Sequence, residues 1–183
     1  MSSRYKIHDH ELPHFVTSTV TGWIDALSRE VYKEIICDTL LYCTKEKGMN
    51  LHAWVIMSNH IHLVISASGG IMISDLMRDL KKFTSHKIIK AIAENQQESR
   101  REWMLNLFRY AGMNSNNEYQ FWRPDYHPIA LDREEKMRQK INYLHENPVR
   151  AGLVWEATHY KYSSATDYLG TSTGLLPIER LEI

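Results

Sequence analysis

His60 and His62 flank a single apolar residue in the run VIMSNHIHLV, and that spacing could do chemistry. On an extended backbone, residues two apart share a face. Both imidazoles would then point one way, and Ile61, Leu63 and Ile65 the other. Two convergent neutral imidazoles are good donors for a divalent cation. Ordinary hydrogen-bonded histidines give the same pattern, so the pair alone does not decide between packing and a metal site. No H-E-x-x-H spacing accompanies it and Cys37 and Cys43 are remote, which argues against a zinc hydrolase or a structural zinc site.

A second constellation lies in DREEKMRQKINYLHEN. At helical spacing, Met137, Ile141 and Leu144 form an apolar stripe, while Lys136, Lys140, Tyr143 and Asn147 share another side. Tyr143 is thus presented beside lysines, with Asn147 one turn later. One reading is a half-buried aromatic at a helix edge, with Asn147 as a cap before Pro148. The other is a phenolic nucleophile whose neighbouring amide oxygen helps hold a metal. A phenol is a weak nucleophile at its free pKa of about 10 and needs nearby positive charge or a base. Attack on a phosphodiester also needs the phosphate neutralised, which an ion held by two histidines would do.

The elements that must position these residues are legible in outline. HFVTSTVTGW alternates and is rich in β-branched residues, which predicts a first strand over 14–20. Ser28 is the expected cap of a helix carrying Val31, Ile35, Leu40 and Cys43, with Gly48 as its stop. LHAWVIM and HIHLVIS read as a hairpin turning at Ser58 and Asn59. Leu76, Leu80 and Phe83 recur on one stripe of a helix over 74–93. Residues 94–118 begin polar and end in an Asn/Ser cluster, as an inserted linker around a short amphipathic piece would. YQFWRPDYHPIAL reads as an extended edge segment because of its prolines. It feeds the tyrosine helix, which Asp132 and Glu135 should open as a capping box, with Leu131 as a staple and Pro148 as its end. A Gly/Thr/Ser turn at 170–174 interrupts the tail. The order implies an α+β fold: a ferredoxin-like βαββαβ antiparallel sheet with helices on one face, plus a C-terminal tail. The 183 residues read as a single domain, with its core over about 10–168.

Charge gives no global support to a nucleic-acid partner, since 22 Lys+Arg balance 22 Asp+Glu. A local patch is still available: from Arg78 to Arg101 seven basic residues, Lys81 and Lys82 among them, face three acidic ones. That patch is either a phosphate-binding surface or a solvated helix face. Tyr119, Phe121, Trp122, Arg123 and Tyr126 offer either stacking surfaces for splayed bases or packing for the insert. The two cysteines read as thiols in a reducing compartment. With no apolar leader run and no uncharged stretch of membrane length, cytoplasmic residence and no membrane partner are the expectation.

VIMSNHIHLV, KINYLHENPVRAGLV and HYKYSSATDY together resemble the IS200-type transposase domain, and more narrowly the REP-associated tyrosine transposases. The family's His-hydrophobic-His signature falls on His60, Ile61 and His62, its catalytic tyrosine on Tyr143, and its polar metal ligand one turn later on Asn147. Its basic residue before the glycine falls on Arg150, and Lys81 and Lys82 match a basic helix after the hairpin. The W-x-Y-S-S stretch departs slightly, reading Tyr160, Tyr162, Ser163 and Ser164.

The resemblance implies nicking and strand transfer of single-stranded DNA at hairpin-forming sites. It implies a 5′-phosphotyrosine intermediate, magnesium or manganese as cofactor, and a monomer or homodimer. The candidate DNA-binding residues are Arg78, Lys81, Lys82, Trp122, Arg123, Lys136, Lys140 and Arg150. A non-catalytic DNA-binding or regulatory protein of the same fold, or a metal-dependent phosphodiesterase using water, are the alternatives.

Overall fold

The computed structural model describes residues 7–113, 117–170 and 172–183. Part of the Asn/Ser cluster, part of the 170–174 turn and the start of the segment searched for a leader fall outside them.

Four strands, β1 (His14–Thr19), β2 (Met49–Ile56), β3 (His60–Ala67) and β4 (Ile129–Ala130), form one sheet in the order β2-β3-β1-β4. All neighbours are antiparallel. This is the strand order of the expected ferredoxin-like sheet. The Met57 N–H donates to the His60 carbonyl at 2.8 Å, which leaves Ser58 and Asn59 as the hairpin turn. The proline-bearing segment supplies β4 at the sheet edge, where missing N–H donors are tolerated.

Helices α1 (Glu30–Glu46), α2 (Ile73–Glu94) and α3 (Arg101–Met113) cover one face, over a core of Trp54, Ile61, Leu63, Tyr32, Leu80 and Phe108. The tyrosine helix, α4 (Glu134–Arg150), packs on the opposite face, burying Ile141 and Leu144 against Phe15, Ala53, Val55 and Val64. Helices on a single face are therefore corrected to helices on both. β1, β2 and β3 carry apolar side chains on each side of the sheet, and only a second layer removes the Phe15–Val64 side from water. After α5 (Ala165–Leu169), the tail runs along the outer strand, where the Glu179 N–H donates to the Leu51 carbonyl at 2.8 Å. That contact covers an edge which would otherwise present unpaired backbone groups.

Several local details differ from the sequence reading. The residue before α1 is Arg29, and the Ser28 hydroxyl turns back to the Asp25 carbonyl instead of capping. The buried stripe of α1 is Tyr32, Ile36, Leu40 and Cys43, one position on from Val31 and Ile35 at its start. In α2, Phe83 is 51% exposed and Thr84 takes its place inside, where its hydroxyl accepts the Trp122 indole N–H at 2.9 Å. Arg133 precedes α4 with no side-chain cap, because Asp132 is drawn to Lys136 at 3.3 Å. Pro148 lies inside α4 and does not end it: the helix continues to Arg150. Residues 101–113, within the expected linker, form the three-turn helix α3, whose Met104 and Phe108 are fully buried in the main core.

Candidate functional site

The register of β1 and β3 sets up the site. Thr17 pairs with His62 and Thr19 with His60, so these four side chains share the face that α4 covers. The two imidazole rings lie 4.7 Å apart, centroid to centroid. Each Nδ1 has a partner. The His60 Nδ1–H donates to Asn59 Oδ1 at 2.7 Å, since the Asn59 amide N–H is committed to the Trp23 carbonyl at 3.2 Å. His62 Nδ1 meets the Thr17 hydroxyl at 2.7 Å. Burial lowers the pKa of His62 to about 3, with the nearby His60 and Lys140 adding to the effect. Burial lowers His60 as well, against a hydrogen bond to Asn147 that favours its charged form. Both rings are therefore neutral near pH 7.

Tyr143 reaches this pair from α4. Its ring centroid is 5.5 Å from that of His62 and 6.1 Å from Phe15, and the residue is 39% exposed. Lys140 Nζ stands 5.7 Å and the Arg150 guanidinium 4.7 Å from the phenol ring centre. One turn on, the Asn147 amide N–H donates to the Tyr143 carbonyl at 2.8 Å, and Arg150 donates to the same oxygen at 3.2 Å. Pro148 lacks the N–H that would meet the Leu144 carbonyl four residues back, whereas both side-chain donors go to the neighbouring Tyr143 carbonyl. Thus His60, His62, Tyr143, Asn147, Lys140 and Arg150 come together.

The other sequence candidates are distributed elsewhere. Lys136 sits near the start of α4, paired with Asp132. Arg78, Lys81 and Lys82 lie on α2, beyond the opposite face of the sheet. Arg78 is held by Asp75 and Asp79, and Lys81 donates to the Arg123 carbonyl at 2.6 Å from a half-buried position that lowers its pKa. Lys82 is exposed beside a groove of about 820 Å³ that Lys90 also borders. Trp122, only 4% exposed, is part of the core and offers no face for stacking a base. Arg123 pairs with Asp125 at 2.6 Å and stands 5.6 Å from the ring centre of Trp23.

Sequence reasoning missed Thr17, Asn59 and Trp23. Asn59 was within reach, as the residue adjoining the first histidine; Thr17 needed the strand register, and Trp23 the loop geometry.

A family model described as transposase, IS200-like, matches residues 14–110, just over half of the chain, and the match contains both histidines. The chain belongs to the IS200-like transposase family. The matched stretch ends before α4, so Tyr143, Asn147 and Arg150 lie outside it. Among solved structures, the fold is similar to that of a REP-associated tyrosine transposase bound to a REP hairpin. That likeness has 17% identity and a TM-score of 0.67, and covers 100% of this chain and 93% of that one. A candidate transposase from Deinococcus radiodurans R1 is 18% identical, with a TM-score of 0.45 over 78% of this chain and 95% of that one. Comparison with curated proteins gave no match.

Proposed function

We propose that this family member breaks and rejoins single-stranded DNA by transesterification, with Tyr143 as the nucleophile. The observation that carries the reading is the approach of the Tyr143 ring to within 5.5 Å of His62, beside Lys140 and Arg150. The phenolic oxygen attacks the phosphorus, the bond to the 3′ oxygen breaks, and that oxygen leaves as a 3′-OH after taking up a proton. The phenol's own proton passes to solvent. The 5′-phosphotyrosine link keeps the energy of the phosphodiester, so another 3′-OH can reverse the attack and join strands. Lys140 and Arg150 supply positive charge where the phosphoryl oxygens gather negative charge.

The donor set suits a divalent cation, magnesium or manganese. Two neutral imidazoles, His62 buried and His60 half-buried, are each anchored through Nδ1, and an amide stands against one of them. Among the described residues no cluster of three His, Cys, Asp or Glu could hold a metal ion, and the third protein ligand we propose is Asn147, whose amide meets His60. Held by His60, His62 and Asn147, such an ion would polarise the scissile phosphate.

The tyrosine meets the histidines of its own chain, which supports action in cis. Because the structurally similar transposase was solved on a REP hairpin, a hairpin flanked by single strand is the substrate class we propose. Tyr143→Phe should abolish covalent adducts with a labelled single-stranded oligonucleotide and leave binding nearly intact. Equal adduct formation by the variant would overturn the assignment. Cleavage with no adduct from the native chain would point instead to water as nucleophile.

A further inference from the structure

The face that carries the histidines continues, away from β2, into a cleft of about 320 Å³. Its floor is Phe15, Thr17 and Thr19 of β1, and its walls are Trp23, Arg123, Asp125 and His127. Phe15 and Thr17 belong to both places: Thr17 bonds His62, and Phe15 touches His62 and Tyr143. The cleft therefore opens directly beside the reacting groups. Its volume lies at the small end of the roughly 300–1,000 Å³ typical of small-ligand pockets.

Trp23 is the unusual member. It is the one non-glycine residue with positive φ among the described residues, at 58°, directly after Gly22 at 70°. A bulky side chain rarely adopts this conformation, and such strain persists only where surrounding contacts hold it. Here Asn59 holds it, giving its amide N–H to the Trp23 carbonyl while its oxygen accepts from His60. The same loop closes through the Trp23 N–H to the Val20 carbonyl at 3.0 Å. The outcome is an indole left 57% exposed, with the Arg123 guanidinium near one face and Asp125 pairing that guanidinium. Burial in the core does not account for this conformation, because the ring is largely outside it.

We infer that this cleft receives the unpaired nucleobase next to the attacked phosphate, stacked on Trp23. An aromatic platform with a guanidinium beside it binds any base through its π-face and pairs the phosphate with positive charge. Asp125 and His127 line the same space. The inference rests on single-stranded DNA being the substrate of the Tyr143 site, and it extends that site by one nucleotide. Trp23 is a substrate-positioning residue, tied to His60 through Asn59.

The test separates stacking from a structural role by using the strain. Trp23→Gly removes the ring and relaxes the left-handed backbone, so the melting temperature should hold or rise. Affinity for a fluorescein-labelled single strand of mixed sequence, read by anisotropy, should fall roughly 5- to 100-fold, the range of base stacking on an aromatic. Trp23→Phe should retain most of it. Both changes are made in a Tyr143→Phe background, so the DNA stays intact and the result does not depend on whether adducts form. In the same background, a strand substituted with bromodeoxyuridine should photo-crosslink to Trp23. Unchanged affinity in Trp23→Gly, or crosslinks confined to α2, would overturn the inference while leaving the tyrosine assignment to its own test.

Discussion

Two imidazoles 4.7 Å apart on one strand face would repel each other as cations, and burial removes that conflict by keeping both neutral. What then fixes their orientation is the pair of side chains on their Nδ1 atoms, Asn59 and Thr17. Neither stands out in the sequence, because Asn in a hairpin turn and Thr in a strand are ordinary choices. Thr17→Val keeps the shape and removes the partner of His62. Leaving a buried ring nitrogen unpaired should cost about 1–3 kcal/mol in chemical denaturation. If His62 holds a cation, manganese affinity should fall roughly 10- to 100-fold as the ring loses its anchor. A variant with native stability and native manganese response would show that Thr17 does not position the ring.

Among the elements, α4 and β3 were readable because their patterns are clear: one apolar stripe on α4, and on β3 a short β-branched apolar run in which His60 and His62 alternate with Ile61 and Leu63. α1 was readable only to within a residue. Its apolar residues come in adjacent pairs, Val31 with Tyr32 and Ile35 with Ile36, and either member of each can begin a stripe. Phe83 was misassigned because its inner place depends on a distant partner, the Trp122 indole, which needs the Thr84 hydroxyl. Of α3 only a short amphipathic piece was legible behind its polar approach, and its place in the core was not, although its Phe108 ring packs 5.0 Å from Phe121 and both are fully buried. Phe108→Ala should therefore destabilise the protein by about 3–5 kcal/mol. A loss below about 1 kcal/mol in urea or guanidinium titration would mean that α3 contributes little to the core.

At the scale of the whole molecule, the balanced charge conceals a local arrangement: Lys140 and Arg150 flank Tyr143, while most basic residues of α2 lie beyond the other face of the sheet. The strand order and the family signature were legible in the sequence; the second helical layer was not, since it follows from apolar residues on both faces of the sheet. The fold also buries histidines away from the tyrosine. His52 lies between the Glu179 carbonyl, 2.8 Å from its Nδ1, and the Ser66 hydroxyl, 2.9 Å from its Nε2, and burial lowers its pKa. The unfolded chain then takes up a proton at higher pH than the native one. Stability from this group is complete above the ordinary value of 6.5 and is lost as pH falls below it. The melting temperature should drop between about pH 7 and pH 5, and His52→Gln should flatten that drop; an unchanged slope would remove His52 from the account. Among the described residues no helix is long and apolar enough to cross a membrane. The central claim remains the nucleophile, and its most direct measurement is mass spectrometry of the native chain after reaction with single-stranded DNA and manganese. The account predicts one modified peptide, carrying a nucleotide 5′-phosphate on Tyr143 and appearing together with a free 3′-OH strand. Cleaved DNA with Tyr143 unmodified, or a nucleotide on another residue, would contradict it.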